Sequence, residues 1–209
     1  MLSFYYTVNG FARHCLIIQK SQFIASVNRV ETESEALDFI EKTKREFRDA
    51  NHNCSAYLIG KRGEIQKAND DGEPSGTAGV PMLEGLKKLE VRNTVVVTSR
   101  YFGGIKLGAG GLIRAYSSAA TAAIKKAGIV KFILTRSIQL EMDYTWLGKL
   151  ENELRSKYSI TRIQYEERVK MEVLVPRSNV ESFVEWVNEK TNGQSTITYG
   201  EWLYEADSQ

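Results

Sequence analysis

Two polar clusters near the middle of the chain have residue types and spacings that could carry chemistry. His52 and Cys54 stand two residues apart in an expected strand, so their side chains fall on one side of a sheet. Asp70, Asp71 and Glu73 form an acidic loop further along the chain. Carboxylates of this kind can hold Mg²⁺ beside substrate phosphates, and one of them could orient His52 as a general base. The alternative is structural: the acidic turn caps the following helix, and Cys54 is a small buried residue.

A basic segment rich in glycine follows the next expected strand, residues 93–99. Arg100 and Lys106 put cations beside an alanine-rich helix that ends near Ala127, and bare N–H groups at a helix start attract anions. Aromatic side chains at such a strand end stack on bases in some proteins and belong to the core in others. The other candidate residues of this segment are Tyr101, Phe102, Gly103, Gly104, Gly108, Gly110, Gly111 and Arg114. We expect the basic segment and the acidic loop to face one cleft, although glycine loops also serve strand–helix packing alone.

Arg114 stands out because the helix dipole disfavours a cation in the first turns of a helix. We therefore expect Arg114 to pair with a residue of the acidic loop or to contact a ligand. The alternative is a plain surface arginine.

Several common sites are excluded by motif and by residue count. Neither glycine-rich loop matches GxxxxGK[ST] or GxGxxG, which hold nucleotide phosphates. The chain has 2 His and 2 Cys in total, whereas a structural zinc site needs four ligands with paired spacings. We therefore expect no metal site and no cofactor, apart from Mg²⁺ if the protein is an enzyme.

Long strings in this region carry a family resemblance. They are DDGEPSGTAG at residues 70–79, RYFGG at 100–104, and KLGAGGL at 106–112 with RAY at 114–116; the pattern His-x-Cys-x-Ala-Tyr begins at His52. They resemble the Impact family, in its bacterial YigZ-like branch, and the resemblance covers nearly the whole chain. It implies an N-terminal domain similar to the second domain of small-subunit ribosomal protein five, and a C-terminal domain similar to the fifth domain of elongation factor G. It also implies a cytoplasmic protein linked to translation.

Composition points to the same compartment. The 209 residues are 42% hydrophobic and 26% charged, which is ordinary for a soluble globular protein. No apolar run approaches the ~18 residues of a membrane span, and the first residues show no signal-peptide pattern. Two cysteines argue against a disulfide framework and for a reducing cytosol. We therefore expect a cytoplasmic protein without a membrane partner.

The balance of charge changes along the chain. Residues 1–134 carry 19 Lys and Arg against 13 Asp and Glu, whereas residues 135–209 carry 9 against 13. The change in composition predicts two domains, 1–134 and 135–209, with the boundary near Thr135. The mildly basic first domain permits a polyanion partner without requiring one.

Hydrophobic periodicity predicts an α+β fold for both domains. In the first domain the expected strands cover residues 14–19, 23–30, 53–59, 64–68 and 93–99, and the expected helices cover 31–47, 80–90 and the stretch from the glycine loop to Ala127. In the second domain the expected strands cover residues 137–142, 160–165, 169–175 and 194–202. Its expected helices are 145–158 and one that begins at a Ser178–Glu181 capping box and ends near Thr191. The resulting β-α-β-β-α-β order is ferredoxin-like.

These features predict a cytoplasmic regulatory protein that acts in translation by binding RNA, the ribosome or a translation factor. The resemblance supplies the link to translation, and the glycine loop with its cations supplies anion binding. The alternative is an Mg²⁺-dependent enzyme on a phosphorylated or nucleotide substrate. In that case the glycine loop would hold phosphate, the acidic loop Mg²⁺, and His52 would be the base. A third possibility is a scaffold whose cleft serves only packing.

Overall fold

The computed structural model describes residues 1–207, which form two compact units. One unit holds Tyr5–Lys131, and the other holds Met1–Phe4 with the chain from Phe132 onward. Both units combine helices with antiparallel strands, which confirms the α+β class. No helix in the described part of the chain has the length and apolar character needed to cross a membrane.

The elements of the N-terminal region follow the predicted order, with one strand added. The strands are β1 (Phe4–Val8), β2 (Ala12–Ile18), β3 (Ser21–Arg29), β4 (His52–Ile59), β5 (Ile65–Asn69) and β6 (Thr94–Tyr101). The helices are α1 (Glu33–Glu46), α2 (Gly79–Lys88) and α3 (Gly108–Ala127). The sequence analysis missed β1, a strand of five residues.

The N-terminal unit is a three-layer arrangement around one antiparallel sheet of order β2-β3-β6-β4-β5. Helices α2 and α3 pack on one face, and α1 packs on the other. The central strand β6 is covered on both faces, which is why it reads as a continuous apolar run rather than an alternating one. Small residues at 0% exposure, Ala115, Ala119 and Ala123 among them, let α3 lie close to the sheet. The loop from β6 to α3 therefore leaves the centre of the sheet and returns directly onto one face of it.

The C-terminal unit has the predicted β-α-β-β-α-β order. Its elements are β7 (Ile129–Met142), α4 (Tyr144–Lys157), β8 (Ser159–Tyr165), β9 (Val169–Pro176), α5 (Val180–Thr191) and β10 (Thr196–Ala206). The pairings give an antiparallel sheet of order β10-β7-β9-β8, which confirms the ferredoxin-like topology.

Two local predictions in this region were wrong. The first strand begins at Ile129, well before the predicted residue 137. The predicted capping box does not form, because Ser178 lies in a short 3₁₀ turn, Arg177–Asn179, and its hydroxyl donates to Asn179 Oδ1 at 2.7 Å. Helix α5 begins after Asn179 without a side-chain cap.

Candidate functional site

The acidic loop is a tight turn that fixes the position of Glu73. The Asp70 carbonyl accepts from the Glu73 N–H at 2.9 Å, and the two residues between them, Asp71 and Gly72, have φ of +46° and +86°. Positive φ at both central positions is typical of a type I′ turn and explains the Asp-Gly sequence there. A Cβ at Gly72 would lie 3.5 Å from Nδ1 of His52, so the turn packs directly against that ring.

The side chain of Asp70 caps the N-terminus of α2. Its Oδ1 accepts from the N–H groups of Ala78 and Gly79 at 3.0 and 2.8 Å, and its Oδ2 accepts from the Gly76 N–H at 2.7 Å. Burial acts to raise the pKa of Asp70, but the three backbone donors outweigh it and hold the pKa below its ordinary value of 3.8. The capping role, one of the two possibilities that the sequence left open, is therefore the one that Asp70 performs.

Asp70→Asn is expected to cost about 1–2 kcal/mol of stability at pH 7, because the amide NH₂ that replaces one carboxylate oxygen cannot accept and leaves at least one of the three backbone donors unpaired. Because the native pKa is depressed, the contribution of Asp70 is present above pH 3.8 and disappears as the pH falls through the native pKa. The difference between wild type and variant should therefore shrink between pH 5 and pH 2, which thermal unfolding followed by circular dichroism would measure. Asp38→Asn, on the exposed surface of α1, is the matched control, and it should change stability by less than about 0.5 kcal/mol at pH 7. An Asp70→Asn variant as stable as wild type at pH 7 would contradict the capping role.

Asp71 serves the loop rather than the cleft. Its Oδ1 accepts from Lys44 Nζ at 2.9 Å and its Oδ2 from the Asn53 N–H at 2.7 Å. Burial opposes these interactions, yet the hydrogen bond from Asn53 and the charge of Lys44 keep the pKa of Asp71 below its ordinary value. The carboxylate is therefore ionised at neutral pH, and both of its oxygens already accept hydrogen bonds.

His52 is oriented by the backbone of the acidic loop. Its Nδ1 lies 2.8 Å from the Asp71 carbonyl oxygen, which can only accept, so Nδ1 carries the proton of this hydrogen bond. The other ring nitrogen, Nε2, lies 4.0 Å from Oε2 of Glu73. The expected neighbour of His52 in the acidic loop is thus present, although it is a carbonyl rather than a carboxylate that orients the ring.

Glu73 and Arg100 form a buried ion pair. The side chains are 3% and 7% exposed, and Glu73 Oε1 lies 2.6 Å from Arg100 Nη1. The hydroxyl of Tyr116, from the third turn of α3, donates to the same oxygen at 2.7 Å. Burial raises the pKa of Tyr116 above its ordinary value, so this hydroxyl remains a donor. Each buried charge depends on the other, because an uncompensated charge in this setting is strongly unfavourable.

One buried donor of Arg100, the Nε–H group, is unused. Its Nε is buried and has no hydrogen-bond partner among the residues that the structure describes. The guanidinium lies over two rings, with Cζ 5.4 Å from the centroid of Phe23 and 5.5 Å from that of Phe102. An unsatisfied buried donor is rare in folded proteins and calls for an explanation such as a ligand or an ion.

A pocket of about 410 Å³ adjoins this guanidinium and the start of α3. Of the residues singled out in the sequence, it collects His52, Glu73, Arg100, Phe102, Lys106 and Gly108. Helix α3 starts after Leu107 without a side-chain cap, and its first turn contains no acidic residue. The N–H groups of that turn and the partial positive charge of the dipole are therefore available to a ligand. At the start of α2, in contrast, the side chain of Asp70 already accepts from the backbone N–H groups.

The pocket brings together fewer of the candidate residues than the sequence analysis expected. Tyr101 lies on the other side of the strand from Arg100, and its hydroxyl donates to Asp49 at 2.8 Å. Arg114 lines a separate pocket beside Ile18 and Ser118, and within residues 1–207 it forms no ion pair with the acidic loop. The expected pairing of Arg114 is therefore not found. Candidates outside the pocket are Asp70, Asp71, Tyr101, Gly103, Gly104, Gly110, Gly111 and Arg114.

The loop glycines serve conformation and packing. Gly104 and Gly108 have φ of +84° and +69°. At Gly103 a Cβ would lie 2.0 Å from the carbonyl carbon of Lys20, so the β6–α3 loop passes against the β2–β3 turn with no room for a side chain. The Gly103 N–H also donates to Ser21 Oγ at 3.1 Å. These contacts set the path of the chain from Arg100 to the start of α3.

Sequence reasoning missed several residues that shape the pocket. Asn51, Pro74, Leu107, Ala109 and Leu112 line it. Asn51 also anchors the strand end, because its N–H donates to the Arg100 carbonyl at 2.9 Å and its Oδ1 accepts from the Phe102 N–H at 2.7 Å. The helical period could have identified one further residue, Tyr116, which follows Leu112 by one turn on the face toward the sheet.

The acidic loop is poorly suited to hold Mg²⁺. The carboxylates of Asp70, Asp71 and Glu73 already accept hydrogen bonds from protein donors. None of them therefore has both oxygens free to bind a metal ion. No group of three or more His, Cys, Asp or Glu residues within 1–207 has the arrangement of a metal site. Cys54 is fully buried, its thiol donates to the Asp70 carbonyl at 3.0 Å, and burial raises its pKa to about 12, so it is no nucleophile at neutral pH.

In the C-terminal unit, the open sheet face carries mixed charge. A pocket of about 280 Å³ lies there, and its two cations, Arg162 and Lys170, share it with Glu172. Lys170 is also paired with Glu166 at 2.8 Å. The pocket at the start of α3 likewise contains two cations and one glutamate, but the uncapped first turn of the helix lines it as well, so it offers the better anion site.

Comparison with known proteins decides the family. Residues 19–124 match the Impact N-terminal domain, and residues 140–194 match a domain of unknown function, DUF1949. The chain is 52% identical over 205 residues to IMPACT family member YvyE of Bacillus subtilis (strain 168), covering 98% of this chain and 94% of that protein. The chain belongs to the Impact family.

A further relative and a solved structure extend the comparison. IMPACT family member YigZ of Escherichia coli (strain K12) is 33% identical over 169 residues, which cover 79% of this chain and 83% of that protein. A solved structure titled "Crystal structure of an hypothetical protein" superposes with a TM-score of 0.62 at 28% identity and covers 96% of this chain and 99% of its own. The resemblance that the acidic and glycine-rich strings indicated is thus confirmed. The match to the Impact N-terminal domain spans every residue of the pocket.

Proposed function

We propose that this Impact family member acts in translation, in the cytoplasm, as an RNA-binding protein whose pocket at the start of α3 holds a phosphorylated nucleotide of the RNA. The observation that carries the proposal is the unused Nε donor of Arg100, buried beside a pocket that the start of α3 also lines. Buried donors without partners are rare, and an uncapped helix start is a ready anion site. A nucleotide phosphate satisfies both.

Two exposed residues add to this chemistry. Lys106 precedes α3 and supplies a further cation at the rim. Phe102 is 49% exposed and lines the same pocket, so its ring is available for stacking on a base. Stacking on an aromatic side chain contributes about 1–3 kcal/mol per base and tolerates any base.

Lys106→Ala and Phe102→Ala are each expected to weaken binding of short single-stranded RNA about tenfold, which is about 1.4 kcal/mol. Binding would be measured by fluorescence anisotropy across a salt series and by co-sedimentation with ribosomes. Because the pocket holds one phosphate, the slope of log K against log salt should be only about −0.7, the value per phosphate neutralised on a single strand. The Lys106→Ala variant should lose most of that slope, because Glu73 already pairs with Arg100, the other cation of the pocket.

The matched control lies on the same helix. Lys126 is an exposed lysine in the last turn of α3, about 30 Å from its start for a 20-residue helix. Lys126→Ala should bind RNA as wild type does. Equal losses in Lys106→Ala and Lys126→Ala would show that binding follows net charge rather than the pocket. If the protein binds neither RNA nor ribosomes at low salt, the proposal is wrong.

A second candidate function is turnover of a small phosphorylated or nucleotide substrate in this pocket. The observation that favours it is His52, whose Nδ1–H is fixed by the Asp71 carbonyl while the ring lines the pocket. A histidine oriented in this way can act as a general base through Nε2. Release of phosphate from a panel of nucleotides, with and without Mg²⁺, would test it. Activity that is lost in His52→Gln would support the enzyme, and no release from any of them would remove it.

A further inference from the structure

We infer that the pocket takes the terminal phosphomonoester of an RNA chain rather than a phosphodiester inside the chain. This inference rests on the proposed function and narrows its ligand. Three observations carry it: the depth of Arg100, the kinds of donor around the pocket, and the small number of cations.

The depth of Arg100 favours a chain end. The residue is 6% exposed and lines the pocket, so a phosphate that contacts its guanidinium must descend below the surrounding surface. A phosphodiester carries a nucleotide on each side, and both would have to follow it into the pocket. A terminal phosphate carries one ester bond and can enter with its remaining oxygens foremost.

The donors also match a monoester. Arg100 offers a guanidinium N–H, Lys106 offers an ammonium group, and the first turn of α3 offers backbone N–H groups, which makes three kinds of donor. A terminal phosphate has three free oxygens and a charge of about −1.5 to −2 at pH 7. An internal phosphodiester has two free oxygens and a single charge. Because Glu73 already neutralises much of the charge of Arg100, a ligand with the larger negative charge gains more from Lys106 and the helix dipole.

The pocket is too small and too weakly basic to follow an RNA backbone. Its volume of about 410 Å³ lies at the low end of the ~300–1,000 Å³ typical of small-ligand pockets. Proteins that track a strand bind about 4–16 nucleotides per domain along a positive groove. Two cations and one exposed ring, Phe102, instead suit one phosphate and its adjoining base.

The test compares short single-stranded RNAs of one sequence that differ only in their ends. The ligands are a 5′-phosphorylated form, a 3′-phosphorylated form, a form with hydroxyls at both ends, and a circular form without ends. Affinities for wild type, Lys106→Ala and Lys126→Ala would be measured at one salt concentration and pH. We expect one phosphorylated form to bind wild type at least tenfold more tightly than the hydroxyl and circular forms, and this preference to shrink in Lys106→Ala but not in Lys126→Ala.

The outcomes separate this inference from the function on which it rests. Equal affinity for all four RNAs would overturn the preference for a chain end while leaving RNA binding in place. A preference for a phosphorylated end that persists fully in Lys106→Ala would place the recognition outside this pocket and overturn the inference as well. If none of the four RNAs binds, the proposed function itself fails.

Discussion

Arg100→Ala is expected to lower the free energy of unfolding of the N-terminal unit by about 3–5 kcal/mol, the range found when one partner of a buried ion pair is removed. The reason is Glu73, whose side chain is 3% exposed and would keep the hydroxyl of Tyr116 as a hydrogen-bond donor, with His52 Nε2 4.0 Å from its other oxygen, but no permanent cation. Removing both charges should cost far less. In Arg100→Met combined with Glu73→Gln, the amide oxygen still accepts from Tyr116 and the methionine fills part of the space beside Phe23. We expect the double variant to recover at least half of the loss.

The measurement needs a probe in the right unit. All three tryptophans, Trp146, Trp186 and Trp202, belong to the C-terminal unit, so tryptophan fluorescence does not report on Arg100. Native-state hydrogen exchange of the β6 amides in the full-length protein does, because central strands exchange through the largest openings. Two results would contradict this account of the ion pair. One is an Arg100→Ala variant as stable as wild type, and the other is a double variant as unstable as the single one.

Gly103→Ala is expected to cost about 3 kcal/mol, at or above the upper end of the range for overpacking. The new Cβ would lie 2.0 Å from the carbonyl carbon and 2.2 Å from the oxygen of Lys20, and these backbone atoms cannot rotate away as a flexible side chain would. Relief requires the β6–α3 loop to move away from the β2–β3 turn. Since that loop carries Lys106 to the pocket, RNA binding should weaken together with stability.

Gly110→Ala is the matched control for this substitution. The position lies in the first turn of α3, where a Cβ would meet only the end of the Arg114 side chain at 3.6 Å. Alanine is a better helix former than glycine, so this variant should gain up to about 1 kcal/mol. Both variants would be compared by thermal unfolding and by RNA anisotropy. A Gly103→Ala protein with wild-type stability would contradict the close approach to Lys20.

The periodic elements were predictable because each has a local cause. The run of valines in β6 indicates a strand buried on both faces. The alanine-rich helix α3 ends at Ala127 as predicted, and Gly128, with φ of +79°, follows it. Strand β1 and the first half of β7 escaped prediction, because they owe their conformation to pairing with distant strands rather than to a pattern of their own.

The residues of the candidate site could be predicted from the sequence, but the partner of each residue could not. The sequence indicated an acidic and a basic loop near each other, yet it could not show that Asp70 caps α2 while Glu73 pairs with Arg100. That division depends on the turn at Gly72 and on the pairing of β4 with β6, which sets His52 opposite Arg100. Distant contacts of this kind have no local signature, and the same holds for the position of Arg114 in a different pocket.

The most direct measurement of the central claim follows Arg100 itself. Nuclear magnetic resonance of protein with isotope-labelled arginine resolves the Nε–H groups, and the short RNA whose phosphorylated end binds more tightly in the four-RNA comparison would be titrated into it. If the unused donor of Arg100 is part of the ligand site, its resonance should shift progressively to saturation with the Kd that anisotropy gives for the same RNA, and resonances of exposed arginines such as Arg162 should stay in place. Saturable binding that leaves the Arg100 Nε–H resonance unmoved would contradict the account.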